Sequence, residues 1–171
     1  LRDSWEIAEF ALGPMDEGWR VTLDQELGVA VRQLGYHYLL APESKHLIKQ
    51  MIASSSLFER GLWVFIGGKV MDGMRQLMEV TPENAEQAKK TVLRVFESAG
   101  QTLADRGGVL DSSGAFGPLD IALCSLAGYC IMPENFGNGA AKMPSKEDFP
   151  TEFQDFIQQC RETAAGEYIQ E

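Results

Sequence analysis

The chain has 171 residues, of which 44% are hydrophobic, and 15 basic against 25 acidic side chains give it a net charge of -10. This length is enough for one domain with a buried core, and the acidic balance argues against a nucleic-acid partner or an anionic membrane surface. The most apolar run, Leu62 to Gly68, is too short for a membrane span, which needs about 20 residues.

Cysteines and histidines are few. Cys124, Cys130 and Cys160 form no C-x-x-C motif, and an odd number without close spacing favours free thiols in a reducing, intracellular compartment, for which we expect the cytoplasm. His37 and His46 are the only histidines, so we expect no metal site. No charged segment followed by an apolar one opens the chain, and we expect no signal peptide in it.

The stretch DSWEIAEFA at residues 3–11 predicts a first helix over residues 4–12. Asp3 and Ser4 are typical cap residues, and the segment Gly13 to Gly18 predicts a turn-rich linker. The apolar stripe of this helix is Ile7, Ala8 and Ala11.

A second helix is predicted from Thr22, where TLDQ is a Thr-x-x-Gln capping box, to about Leu40, since Pro42 breaks the pattern. Its apolar face consists of Leu23, Leu27, Ala30, Val31, Leu34 and Tyr38.

Residues 43–80 are rich in apolar residues, and Ser54 to Ser56 are predicted to cap a helix there. Gly67, Gly68 and Gly73 fall inside its pattern, where each costs about 1 kcal/mol relative to Ala. We expect a closely approaching helix or a kink to compensate. The GGK triplet lacks the rest of a phosphate-binding loop, so we expect no phosphate site.

The next helix has clear ends: Thr81 is the predicted N-cap, Pro82 the first helical position, and Gly107 with Gly108 the end. Its apolar residues recur every three or four positions: Ala85, Ala88, Val92, Val95, Phe96, Ala99 and Leu103.

A very apolar helix is predicted from Pro118 to about Ile131, and its composition predicts burial on all faces. The Gly-, Asn- and Pro-rich stretch from Pro133 to Pro150 predicts a surface loop. A last amphipathic helix is predicted from Thr151, with Phe153, Phe156, Ile157 and Cys160 on its apolar face. The chain therefore reads as one all-α domain preceded by a single helix on a linker.

The stretch AFGPLDIALCSLAG at residues 115–128 predicts how the buried helix begins. Gly117 occupies the N-cap, and Asp120, at the third helical position, can accept hydrogen bonds from the unpaired N–H groups there. Its charge also suits the positive end of the helix dipole. Phe116 and Ile121 are placed to form a hydrophobic staple. We interpret Asp120 as a structural residue without a catalytic role.

This stretch resembles the capping box and staple of the C-terminal domain of glutathione transferases, whose pattern is Ser/Thr-x-Ala-Asp-Ile. Asp120 and Ile121 match, Leu119 replaces the Ala, and Gly117 replaces the Ser or Thr. The loss of the side-chain acceptor at Gly117 should weaken the cap by only a few tenths of a kcal/mol.

The beginning of the chain resembles a second motif of the same family, [Asp/Glu]-Ser-x-x-Ile-x-x-[Tyr/Phe], at Asp3, Ser4, Ile7 and Phe10. In glutathione transferases this motif opens the last helix of the thioredoxin-like domain and binds the γ-glutamyl end of glutathione. The resemblance implies that Asp3 and Ser4 bind glutathione; the alternative is that they only cap the helix. It also implies a thioredoxin-like helix over residues 1–12, a linker over 13–21 and a helical bundle over 22–171.

The resemblance implies that the chain conjugates glutathione with a small electrophile or peroxide, as a homodimer, with the thiol-activating residue upstream of Leu1. The electrophile pocket is then expected near Trp19, Tyr36 and His37, although at most two of Tyr36, His37 and Tyr38 can point inward. An alternative is a non-catalytic module that docks in a protein complex, through the Pro133 to Pro150 loop or the glycine-rich helix. A third is an independent all-α domain that matches both motifs by chance.

Overall fold

The computed structural model describes residues 4–44, 46–48, 57–133 and 144–171, and for Pro42 and residues 57–66 only the backbone. Regular structure in these ranges is helical, without a strand, as the sequence predicts, and no helix in them is long and apolar enough to cross a bilayer. The α-helices are α1 (Ser4–Leu12), α2 (Glu17–Val21), α3 (Gly28–Leu39), α4 (Leu57–Leu77), α5 (Pro82–Asp105), α6 (Pro118–Ile131), α7 (Thr151–Arg161) and α8 (Ala164–Gln170). Short 3-10 turns form at Pro42–Ser44 and Lys146–Asp148.

The first predicted helix is confirmed as α1, whereas the second begins at Glu17 and not at Thr22. Asp16 is its N-cap, because the Asp16 Oδ1 accepts the backbone N–H of Trp19 at 3.2 Å. Thr22 lies inside the helical run, so the Thr-x-x-Gln pattern does not start a helix. Within the predicted linker, only residues 13–16 are non-helical.

A π-helical segment, Thr22–Leu27, joins α2 to α3 into one helical run. Gly28 follows it, and a Cβ at this position would lie 3.2 Å from the carbonyl oxygen of Leu23. The Arg32 Nε donates to the carbonyl oxygen of Gly28 at 2.9 Å. The sequence did not predict this segment, because one π-helical turn is only slightly wider than an α-helical turn. The spacing of the apolar residues along the helix therefore barely changes. Turns of this kind are frequent at functional sites.

One hydrophobic core unites the π segment with α3, α5, α6, α7 and α8. The predicted apolar face of the second helix is confirmed, because all six of its residues are at most 7% exposed. The seven predicted residues of α5 and the four of α7 are buried as well. Helical periodicity therefore identified the core-facing residues of three separate helices.

Close packing does not account for two of the glycines of α4, Gly68 and Gly73. A Cβ at Gly68 or Gly73 would meet nothing within 4 Å in the described part of the chain, so the expected close neighbour is wrong at these two positions. Val70 and Leu77 of the same helix are exposed. The predicted cap at Ser54 to Ser56 lies outside the described residues.

The ends of α5 are those predicted. Thr81 is the N-cap, and its Oγ1 accepts the backbone N–H of Asn84 at 3.1 Å. Gly107 and Gly108 follow the helix with φ angles of +76° and +96°, which glycine adopts without strain. The Gly108 N–H closes the end by donating to the Leu103 carbonyl oxygen at 2.7 Å.

The bounds predicted for α6 are confirmed, but its predicted burial on all faces is wrong. Ile121 and Ser125, one turn apart, are exposed, and Phe116 before the helix is also more than half exposed. Apolar composition could not reveal that no described element covers this side. The predicted staple pair, Phe116 and Ile121, therefore lies at the surface.

The last predicted helix begins at Thr151 as expected, but it ends at Arg161 and a separate helix, α8, follows. Thr163 starts α8, since its Oγ1 accepts the Gly166 N–H at 3.0 Å. In the described part of the predicted loop before α7, residues 144–150, the chain forms the 3-10 turn noted above.

The N-terminus of α6 is held by the carboxylate of Asp120, which is 0% exposed. Its Oδ2 accepts the Gly117 N–H at 3.0 Å, which confirms the predicted capping interaction. Its Oδ1 accepts the Leu110 N–H at 2.7 Å and the Tyr168 hydroxyl at 2.9 Å. A buried carboxylate is costly unless donors surround it, and these three donors supply that compensation.

Replacing Asp120 with Ala should destabilise the chain strongly. The Leu110 and Gly117 N–H groups would lose their acceptor, and we expect the free energy of unfolding to fall by about 3 kcal/mol. Urea denaturation measures this change. The control is Asp155→Ala, an exposed carboxylate of α7, which should change stability by no more than about 0.5 kcal/mol. Equal effects of the two substitutions would contradict the structural role of Asp120.

Candidate functional site

The N-terminus of α1 is the predicted glutathione-binding element. Ser4 is the first residue of α1 and is exposed, whereas Asp3 lies outside the described residues. The first N–H groups of a helix have no intrahelical partner, and a hydroxyl beside them suits a carboxylate ligand. Ser4 is therefore accessible for the predicted role, which stays a prediction.

The two sides of α1 differ in what they contact. Trp5 packs against the core and is partly buried. Ile7 and Phe10, three residues apart on another side, are 54% and 81% exposed. The helix thus rests on the bundle through Trp5 and presents apolar side chains that no described element covers.

The predicted electrophile-pocket residues do not lie together. Trp19 belongs to α2 and packs on the core, while Tyr36 and His37 lie in the last turn of α3. Tyr36 follows Trp19 by seventeen positions along one helical run, which corresponds to about 25 Å. A pocket at the end of α3 would therefore be built from Tyr36 and His37 without Trp19. The pocket itself stays a prediction.

At the end of α3, Tyr38 points into the core and its neighbours are partly exposed. The Tyr38 ring stacks on Phe153 with centroids 4.2 Å apart, and the His37 ring meets its edge at 4.9 Å. Tyr36 and His37 both have intermediate exposure. These two side chains are accessible to a small molecule at this end of the bundle.

A charged cluster next to Tyr38 joins three helices. The Tyr38 hydroxyl donates to Glu152 Oε1 at 3.0 Å, and Lys89 Nζ bonds both to Glu152 and, at 2.8 Å, to Glu86. Burial alone would lower the pKa of Lys89, but the hydrogen bonds to the carboxylates outweigh it and raise that pKa. The bond from Lys89 lowers the pKa of Glu152. The cluster stays charged and ties α3 to α5 and α7.

The side chain of His37 sits beside this cluster. Partial burial lowers the pKa of His37, because removal from water disfavours the imidazolium, while the charge of Glu152 acts in the opposite direction. Its imidazole is therefore neutral at pH 7, with one ring nitrogen free to accept a proton or a hydrogen bond.

Sequence reasoning missed Tyr129 on α6. Its ring lies 3.7 Å from where a Cβ at Gly35 would be, and it meets Phe153 at a centroid distance of 5.3 Å. Its hydroxyl is buried and has no hydrogen-bond partner in the described residues. Burial raises the pKa of Tyr129, so the phenol stays protonated. No local pattern distinguishes this tyrosine from any other core aromatic residue.

The cysteines are suited to packing and not to nucleophilic chemistry. Cys130 and Cys160 are buried, Cys124 is partly buried, and all three thiols are free. Burial raises the pKa of Cys160 to about 12 and raises that of Cys130 as well. The thiolate is the reactive form, so these groups behave as small hydrophobic side chains.

An open groove of about 500 Å³ runs between α5 and the α7–α8 corner. It contains none of the predicted site residues. Its walls combine apolar and polar side chains: Leu93, Glu97, Gln101, Gln159, Thr163 and Ala164.

In the described ranges, no three His, Cys, Asp or Glu side chains lie close enough to hold a metal ion. No family model matches the chain, and neither the curated proteins nor the solved structures contain a match to it. The fold defines the class of protein as an all-helical bundle, and any functional assignment depends on the geometry above.

An NMR titration should give His37 a pKa below 6.5. The Glu152→Gln change removes a charge that raises this pKa, so it should lower the pKa further. The Glu162→Gln change, just after the far end of α7, should leave the pKa of His37 unchanged. Since the pKa is lower in the folded state than in the unfolded one, stability falls as the pH drops from 6.5 through the folded-state value. A measured pKa of 6.5 or higher would contradict the burial of the ring.

Proposed function

We propose that the chain is the helical domain of a glutathione transferase-like protein, preceded by the last helix of its thioredoxin-like domain. The reaction is addition of the glutathione thiolate to a small electrophile or a peroxide. Glutathione is a substrate, no metal takes part, and the thiol-activating residue lies upstream of Leu1. The family analogy also implies a homodimer, and the cysteine pattern favours a reducing, intracellular compartment such as the cytoplasm.

The observation that carries this proposal is the arrangement of α1. The helix presents an accessible Ser4 at its start and leaves Ile7 and Phe10, both positions of the resembling motif, exposed. Exposed apolar side chains at motif positions fit a helix that packs on a further apolar surface, such as the sheet of a thioredoxin-like domain.

The chemistry of the first residues fits the γ-glutamyl group of glutathione. That group carries an ammonium and a carboxylate on one carbon atom. A serine hydroxyl and free N–H groups at a helix N-terminus suit the carboxylate, and a neighbouring Asp3 suits the ammonium. Adjacent Asp and Ser side chains therefore match the two charges of the ligand.

The second resembling motif supports the same proposal. The Asp120 carboxylate and the Gly117 N–H form the capping interaction at the start of α6. The role of this interaction is structural. It therefore supports the proposed family and carries no information about catalysis.

A second candidate is a non-catalytic docking module of the same fold. The exposed side chains of Phe116 and Ile121 favour it, because two large apolar residues at one end of α6 fit a protein partner. Turnover of a generic aryl halide with glutathione separates the two candidates: the enzyme conjugates it, and the docking module does not.

Replacing Ser4 with Ala in the natural protein should weaken glutathione binding. Loss of a charge-assisted hydrogen bond costs about 1–2 kcal/mol, which corresponds to a roughly 5- to 30-fold higher Kd, measured by calorimetry. The matched control is Ser98→Ala, an exposed serine of α5, which should leave the Kd unchanged. An unchanged Kd for Ser4→Ala would leave Ser4 as a helix cap only.

A further inference from the structure

The C-terminal helix α8 is too short to be stable by itself. It has seven residues, whereas isolated helices of fewer than about 12 residues are marginal in water. Its helical state therefore depends on docking against the rest of the bundle, where it contacts α5, α6 and α7.

Small residues make this docking close. A Cβ at Gly166 would clash with the carbonyl oxygen of Cys160, and a Cβ at Gly100 of α5 would lie 3.1 Å from the Cβ of Ala164. Ala165 and Gly166 are buried at the contact. The apolar contacts of α8 with the core come from Ala165, which is buried, and from Tyr168 and Ile169, which are partly buried.

The polar contact of α8 with α6 is a single shared carboxylate. The Tyr168 hydroxyl donates to Asp120 Oδ1 at 2.9 Å, the same oxygen that accepts the Leu110 N–H. The second oxygen of Asp120 accepts the Gly117 N–H. Docking of α8 and order at the start of α6 thus depend on the same group.

We propose that α8 is a releasable strap, which undocks as a unit while the rest of the bundle stays folded, and that its release loosens the Asp120-bonded amides of Leu110 and Gly117.

Amide hydrogen exchange of the full chain, resolved by NMR, tests this proposal. In the unmodified chain, the amides of α8 should exchange faster than those in the middle of α5, because they open without global unfolding. The Tyr168→Phe change should accelerate exchange of the α8 amides and of the Leu110 and Gly117 amides by about tenfold. Amides in the middle of α5 should not respond.

The control is Tyr38→Phe, which removes a tyrosine hydrogen bond to Glu152 and should leave the α8, Leu110 and Gly117 amides unchanged. Equal protection of α8 and the middle of α5 in the unmodified chain would overturn the proposal, because α8 would then open only with the whole bundle. If Tyr168→Phe accelerated amide exchange in α8 but not at Leu110 and Gly117, the proposed coupling between α8 and the start of α6 would be overturned.

Discussion

The structure depends on the buried carboxylate of Asp120. Asp120 has no exposed surface, so its charge is tolerable only with donors on both oxygens. The donors come from three places in the chain: the loop after α5, the residue before α6, and the C-terminal helix. One side chain therefore fixes how α6 begins and contacts the docked helix α8. A residue without a side-chain acceptor at this position would leave the Leu110 and Gly117 N–H groups without their partner.

The sequence predicted the local part of this arrangement and not the distant part. The pair Gly117 and Asp120 is visible because capping acts over three residues. Tyr168 lies 48 residues from Asp120, and Lys89 lies 63 residues from Glu152, so no periodicity connects them. The core faces of α3, α5 and α7 were predicted correctly because helical spacing is local as well. Local patterns also explain the errors. Two competing cap patterns led to the wrong start for the second helix, and the composition of α6 could not tell which of its sides lacks a neighbour.

Only those parts of the candidate site that belong to a sequence motif or to one helix could be predicted. Ser4 stands at an accessible helix start, as the motif requires, and Tyr36 and His37 lie at one end of the bundle. Their distance from Trp19 follows from the added helical length of α2, which the misplaced helix start concealed. Tyr129 had no sequence signal, since its buried hydroxyl is defined by what surrounds it. The glutathione transferase proposal thus depends on α1, where an exposed apolar side and a polar start occur on one short helix.

The central functional claim is that α1 belongs with a thioredoxin-like domain that covers Ile7 and Phe10. Intact mass and N-terminal sequencing of the protein purified from its natural source test this claim most directly. The proposal predicts that a thioredoxin-like sequence precedes Leu1 in the purified protein. A mature chain whose translation starts immediately before Leu1 would contradict it.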